Sequence, residues 1–106
     1  MTARKARVFG ARMQALPETA AYVESFCNRH GISRCDTLRL TLIVEELFTN
    51  TIEHGYRGES NSPIHITLSA GIDAIALLYE DAAPRYDPLS RLSGPAFDPA
   101  ASVDLR

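Results

Sequence analysis

The sequence predicts an α+β fold, a two-layer sandwich with helices on one face of a mixed or antiparallel sheet. Three features point there. Residues 40–56, LTLIVEELFTNTIEHGY, carry apolar side chains at helical spacing; residues 64–69 alternate strictly between apolar and polar; residues 74–80 form a short apolar run beyond a turn. With a strand-like segment and another helical one ahead of them, the order is strand, helix, helix, strand, strand and then an irregular stretch. At 106 residues the chain supports one core and no second domain.

Each element has a local reason. Residues 6–13, ARVFGARM, alternate in part, with Val8 and Phe9 on opposite faces and no helix cap ahead of them, and predict the first strand. Ala15-Leu16-Pro17-Glu18 opens a helix, because proline suits the first helical position and a carboxylate there suits the positive end of the dipole. Ala20, Val23, Phe26 and Cys27 then recur at helical spacing until Gly31, after His30, stops the helix. Ser33 or Asp36 can cap the next one, which runs through Leu38, Leu40, Ile43, Leu47 and Ile52 to Gly55, roughly 28 Å at about 1.5 Å per residue. Its rows with Leu40, Ile43, Val44, Leu47, Thr51 and Ile52 are apolar enough to bury it.

Residues 57–63, RGESNSP, make a polar connection, and residues 64–69 follow as a half-buried strand. Ala70-Gly71-Ile72-Asp73 offers the turn of an antiparallel hairpin. The second strand, residues 74–80, is the more apolar of the pair and is expected to lie more centrally in the sheet. From Asp81 onward Pro84, Pro88, Gly94, Pro95 and Pro99 erase all periodicity, so residues 82–106 read as a lid-like irregular loop or tail.

Composition narrows the functional classes. Hydrophobic residues make up 45% and charged residues 23%, the balance of a soluble globular domain. A net charge of −2 recommends neither nucleic acid nor an anionic membrane as a direct partner, and Arg4, Lys5 and Arg7 read as a short solvated flank. No apolar run approaches the ~20 residues of a membrane span, and no signal peptide follows the charged N-terminus, which makes a cytoplasmic protein the expectation. Cys27 and Cys35 lack metal-ligand spacing and are expected to stay reduced. The sequence holds no zinc motif, no G-x-S-x-G elbow and no Walker A loop.

The second helix carries a polar line where leucine could have stood. Glu46, Asn50 and His54 recur at i, i+4 and i+8, each about 40° round from the last, so they share a face bordering the core. A Glu and an Asn one turn apart can act together on a metal-bound anion: the amide oxygen ligates Mg²⁺ and the carboxylate positions a water or hydroxyl. On spacing alone another reading stays open. Glu45, Glu46 and Glu53 can be the wet face of a helix, paired with Arg39 or Arg57, and His54 can be a residue suited to the negative end of the dipole. His30 and His65 have no partner at metal spacing and belong to structure or surface. Asp81, at the end of the second hairpin strand, can cap a loop or read the donor groups of a ligand.

The combination points further. Residues 44–56, VEELFTNTIEHGY, resemble the N-box of the GHKL (Bergerat-type) ATP-binding fold, in the form found in bacterial anti-sigma-factor serine/threonine kinases: Glu46, Asn50, His54, Gly55 and Tyr56 all match Glu-x-x-x-Asn-x-x-x-His-Gly/Ala-Tyr. Residues 79–89, YEDAAPRYDPL, are similar to the Asp-x-Gly-x-Pro-Phe-Asp-Pro segment that leads from a strand into the lid over the nucleotide. Tyr86-Asp87-Pro88 replaces Phe-Asp-Pro, and Ala83 stands where the family usually has glycine.

The resemblance implies ATP and Mg²⁺ as cofactors. Glu46 would be the base, Asn50 the Mg²⁺ ligand, His54 a phosphate-side contact, Asp81 the acceptor of the adenine amino group, and Ala83 part of the turn that approaches the base. It also implies partners: a sigma factor that is sequestered, and an anti-anti-sigma (STAS-type) protein phosphorylated on serine. Relatives continue with a Gly-Leu-Gly phosphate-binding segment, whereas this sequence closes on Val103-Asp104-Leu105-Arg106. The chain is therefore expected to be an incomplete form of the domain with weak or no kinase activity. A degenerate, non-catalytic module that binds a partner or forms a homodimer through its sheet is the alternative. A sensor histidine kinase ATPase domain suits the glutamate-first N-box and the short first helix less well.

Overall fold

The computed structural model describes residues 3–72, 74–83 and 102–105. They form strand β1 (Ala3–Gly10), helices α1 (Leu16–Arg29) and α2 (Arg34–Asn50), and strands β2 (Pro63–Ala70), β3 (Ile75–Asp81) and β4 (Ser102–Leu105). The strands make one sheet in the order β1-β2-β3-β4, and every pairing is antiparallel. The expected α+β sandwich is what the chain builds, with α1 and α2 on one face.

Boundaries follow from pairing and capping. β1 begins earlier than alternation suggested because its register with β2 runs from Ala3 opposite Ala70 to Gly10 opposite Pro63. Met13–Ala15 instead form a tight turn that leads into α1. α1 has its proline in the first turn and Arg29 in the last, and beyond it Gly31 takes the positive φ of 67° that glycine tolerates. Of the two candidate caps for α2, Ser33 is used: its hydroxyl accepts the Asp36 N–H at 3.1 Å.

Two features differ from the sequence expectation. The hairpin strands share the centre of the sheet equally, since β2 has β1 and β3 as neighbours and β3 has β2 and β4. The stretch expected to be irregular over 82–106 includes β4, whose backbone pairs Ile75 with Leu105 and Leu78 with Ser102. Proline spacing had hidden four residues of strand. Residues 84–101 lie outside the described ones.

The core lies between the helices and the inner face of the sheet. Ile64, Ile66 and Leu68 of β2 and Ile75, Leu77 and Tyr79 of β3 point inward, and Val23, Phe26, Leu40, Val44 and Phe48 meet them from the helices. Phe9 is the buried residue of β1, and its ring packs edge-on against Tyr22 of α1 and Phe48 of α2. That contact fixes both helices over the sheet, and with them the C-terminal end of α2.

Candidate nucleotide site at the end of helix α2

At Asn50 the α-helix gives way to a wider π-type turn over Thr51–Gly55, closed by the Tyr56 N–H donating to the Thr51 carbonyl at 2.7 Å. Arg57 (φ 58°) and Gly58 (φ 138°) then turn the chain away, with the Gly58 N–H reaching the Ile52 carbonyl at 2.7 Å. Such a turn sits where function is common, and it changes the alignment read from sequence. The 40° step from Asn50 to His54 assumed an α-helix, whereas His54 stands in the wide turn with Nε2 3.9 Å from the Glu53 carboxylate.

Glu46 and Asn50 do share a face. Both are exposed and line an open depression of about 430 Å³ with Leu42, Glu45 and Thr49. Among the described residues no hydrogen bond or ion pair holds either side chain. Among the described residues Arg39 pairs with Asp36 at 3.5 Å and Glu53 with His54 at 3.9 Å, so neither Glu45 nor Glu46 is paired with Arg39 or Arg57.

Asp81, the last residue of β3, does not line that depression but is tied to the same helix. Its Oδ2 accepts the Thr51 hydroxyl at 2.8 Å, and its Oδ1 accepts the Ala83 N–H at 3.1 Å. Thr51 follows Asn50 directly, so one bond joins the two halves of the proposed constellation. Behind it the Tyr79 hydroxyl lies 2.7 Å from Thr51 Oγ1 and 3.1 Å from the Leu47 carbonyl. Tyr79 is 1% exposed, and burial pushes its phenol well above the ordinary range, against the smaller opposing effect of the Thr51 hydrogen bond.

Two further contacts shape the turn after Asp81. The Tyr56 hydroxyl donates to the Pro63 carbonyl at 2.8 Å and accepts the Ala82 N–H at 2.9 Å, so it ties the end of α2 to the start of β2 and to the loop after β3. Ala83 rests against Gly55: a Cβ added to Gly55 would lie 2.8 Å from the Ala83 methyl. The turn after α2 and the loop after β3 approach closely at this point, with room for no side chain on Gly55.

Sequence reading missed Thr51 and Tyr79 as site residues, counting one among the core rows and the other in an apolar strand. A signal existed. Strand alternation puts Tyr79 and Asp81 on one face, and Thr51 follows the metal-ligand candidate. Tyr86-Asp87-Pro88 lies outside the described residues. Cys27 is buried and Cys35 exposed, and both are free thiols.

The family profile described as "Histidine kinase-like ATPase domain" matches residues 9–102. The chain belongs to the histidine kinase-like ATPase family. No curated protein matches it at a significant level. It has an α+β fold with its two helices packed on one face of the sheet, and no helix among its described residues is long and apolar enough to cross a membrane.

The residues present fit Mg-ATP on the base and metal sides. Each Asp81 oxygen accepts one bond and keeps a lone pair for an amino donor. The described residues of this histidine kinase-like domain contain no cluster of three metal-binding His, Cys, Asp or Glu. The Asn50 amide, exposed on the depression it shares with Glu46, suits a Mg²⁺ ion that arrives with phosphate oxygens, which needs few protein ligands.

Proposed function

We propose that this histidine kinase-like domain acts as an ATP- and Mg²⁺-binding regulator of the anti-sigma-factor serine kinase type. Bound Mg-ATP would supply the transferable phosphoryl group. Asn50 holds Mg²⁺ through its amide oxygen, Asp81 receives the adenine amino group, and His54 serves the phosphate side. Glu46 takes the proton of the serine hydroxyl presented by an anti-anti-sigma partner, and sequestration of a sigma factor is the activity this switches. The observation that carries the reading is the Thr51–Asp81 hydrogen bond, which joins the helix of Glu46 and Asn50 to the end of β3.

Calorimetry with Mg-ATP tests it. Wild-type protein should bind, Asn50→Ala should lose the Mg²⁺ dependence of binding, and Glu46→Gln should keep binding while any phosphate transfer to the partner's serine stops. Binding that is indifferent to Asn50→Ala sinks the metal assignment.

One observation favours a second reading, a non-catalytic module that pairs through its sheet: β1 is an outer strand, and Val8 on it is 55% exposed. Sedimentation separates the two. A stable dimer blind to nucleotide supports the module, and an ATP-binding monomer counts against it.

A further inference from the structure

Asp81 is held by a relay of hydroxyls, and the proton count within it is tight. Thr51 and Tyr79 have one hydroxyl proton each. Around those two protons stand the Asp81 carboxylate Oδ2 at 2.8 Å from Thr51, the Leu47 carbonyl at 3.0 Å from Thr51 and 3.1 Å from Tyr79, and the 2.7 Å contact between the two hydroxyls. If Tyr79 gave its proton to Leu47 and Thr51 gave its own to Asp81, two hydroxyl oxygens would face each other at 2.7 Å with no proton between them. If Thr51 turned to Leu47, the Asp81 carboxylate would face a bare oxygen. The arrangement without such a conflict runs from Tyr79 to Thr51 to Asp81. The Leu47 carbonyl keeps its helical bond from the Thr51 N–H. Both hydroxyls are shielded, with Thr51 5% and Tyr79 1% exposed, so water does not replace either donor.

We infer that Thr51, oriented by Tyr79, is a positioning residue that sets base selection at Asp81, favouring a 6-aminopurine nucleotide over a 6-oxopurine one. The inference rests on reading Asp81 as the base contact. A carboxylate free on both oxygens can turn and pair side-on with the adjacent N1–H and N2–H donors of guanine. With Oδ2 fixed by Thr51 and Oδ1 by the Ala83 N–H, Asp81 can no longer turn to present both oxygens to one edge. It offers single acceptor positions, which suit one amino group. Neither hydroxyl belongs to the motif residues Glu46, Asn50 and His54.

The test is an NMR titration of the 106-residue chain with ATP and with GTP, each with Mg²⁺, following the backbone amides of residues 79–83. Thr51→Val keeps the branched shape and removes the hydroxyl, Thr51→Ser restores the hydroxyl, and Tyr79→Phe removes the donor behind it. Wild type should prefer ATP. Loss of one hydrogen bond to a charged acceptor should weaken ATP binding by Thr51→Val about tenfold or more and shrink the ATP-to-GTP preference by a similar factor. Thr51→Ser should recover most of both, which a purely structural role of the threonine methyl would not. Thermal unfolding of each variant shows whether it is folded; if Thr51→Val is not, Tyr79→Phe carries the test with a loss of preference of a few fold. A folded variant without the hydroxyl that binds ATP with an unchanged preference overturns the relay. A folded wild type that binds neither nucleotide at millimolar concentration overturns the reading of Asp81 itself, a separate result.

Discussion

Gly55→Ala should damage the site more than the fold. The added Cβ would stand 2.8 Å from the Ala83 methyl, whereas carbon atoms pack best at about 3.5 to 4.0 Å, so Ala83 must retreat by roughly 0.7 Å or more. Two terms oppose each other in stability. Replacing a glycine at the end of a helical turn gains at most about 0.8–1.0 kcal/mol of propensity, the value for a helix interior, and overpacking costs about 1–3 kcal/mol. Ala83 is on a loop and only half-buried, so it yields easily and the cost falls at the low end. The net change should be within about 1 kcal/mol, a Tm shift of a few degrees for a domain of this size. The Ala83 N–H, however, holds Asp81 Oδ1 at 3.1 Å, and a retreat of that size takes it beyond hydrogen-bonding distance. Mg-ATP affinity should fall several fold. Ala83→Gly in the same chain removes the obstructing methyl and should restore it, so a double-mutant cycle should show a coupling of about 1 kcal/mol or more. Additive effects of the two substitutions, with no recovery in the double variant, would refute the packing argument.

The remaining predictions concern the frame around the site. Phe48→Ala removes a fully buried ring that packs against Phe9, and should cost about 3–5 kcal/mol in urea unfolding. Ser33→Ala deletes the hydroxyl that caps α2 and should cost about 1 kcal/mol, seen as a lower urea midpoint at unchanged slope. The phenols of Tyr79 and Tyr22 are both raised by burial, so the unfolded chain ionises first and stability, intact below about pH 10, should fall as the pH rises past it. Tyr79→Phe should flatten part of that alkaline loss in pH-dependent unfolding.

Where local chemistry decides structure, the sequence was informative. The proline of α1, Gly31, the Ser33 cap and the strict alternation of residues 64–69 each act over a few neighbours, and the elements appear where those signals stand. Glu46 and Asn50 fall on one face because four residues make about one turn. What was hidden depends on contacts between distant segments. The π-type turn displaces His54 from its α-helical row, and no local pattern announces it. β4 is a strand because β3 has an edge to pair with, although the residues before it are rich in proline and glycine. Thr51 and Tyr79 look apolar in their own elements, and their hydroxyls gain a role only when β3 is laid beside α2. The close approach of Gly55 and Ala83 is likewise invisible until the two segments meet.

The central claim is that Asp81 and the end of α2 form one nucleotide site. Calorimetric titration of the 106-residue chain with Mg-ATP, comparing wild type with Asp81→Asn, tests it most directly. The amide keeps the size of the side chain and gives up the charge that the Thr51 hydroxyl and the Ala83 N–H both serve. Measurable ATP binding by wild type, weakened about tenfold or more in a folded Asp81→Asn, is the result the geometry predicts. Equal affinity in the two proteins would contradict it.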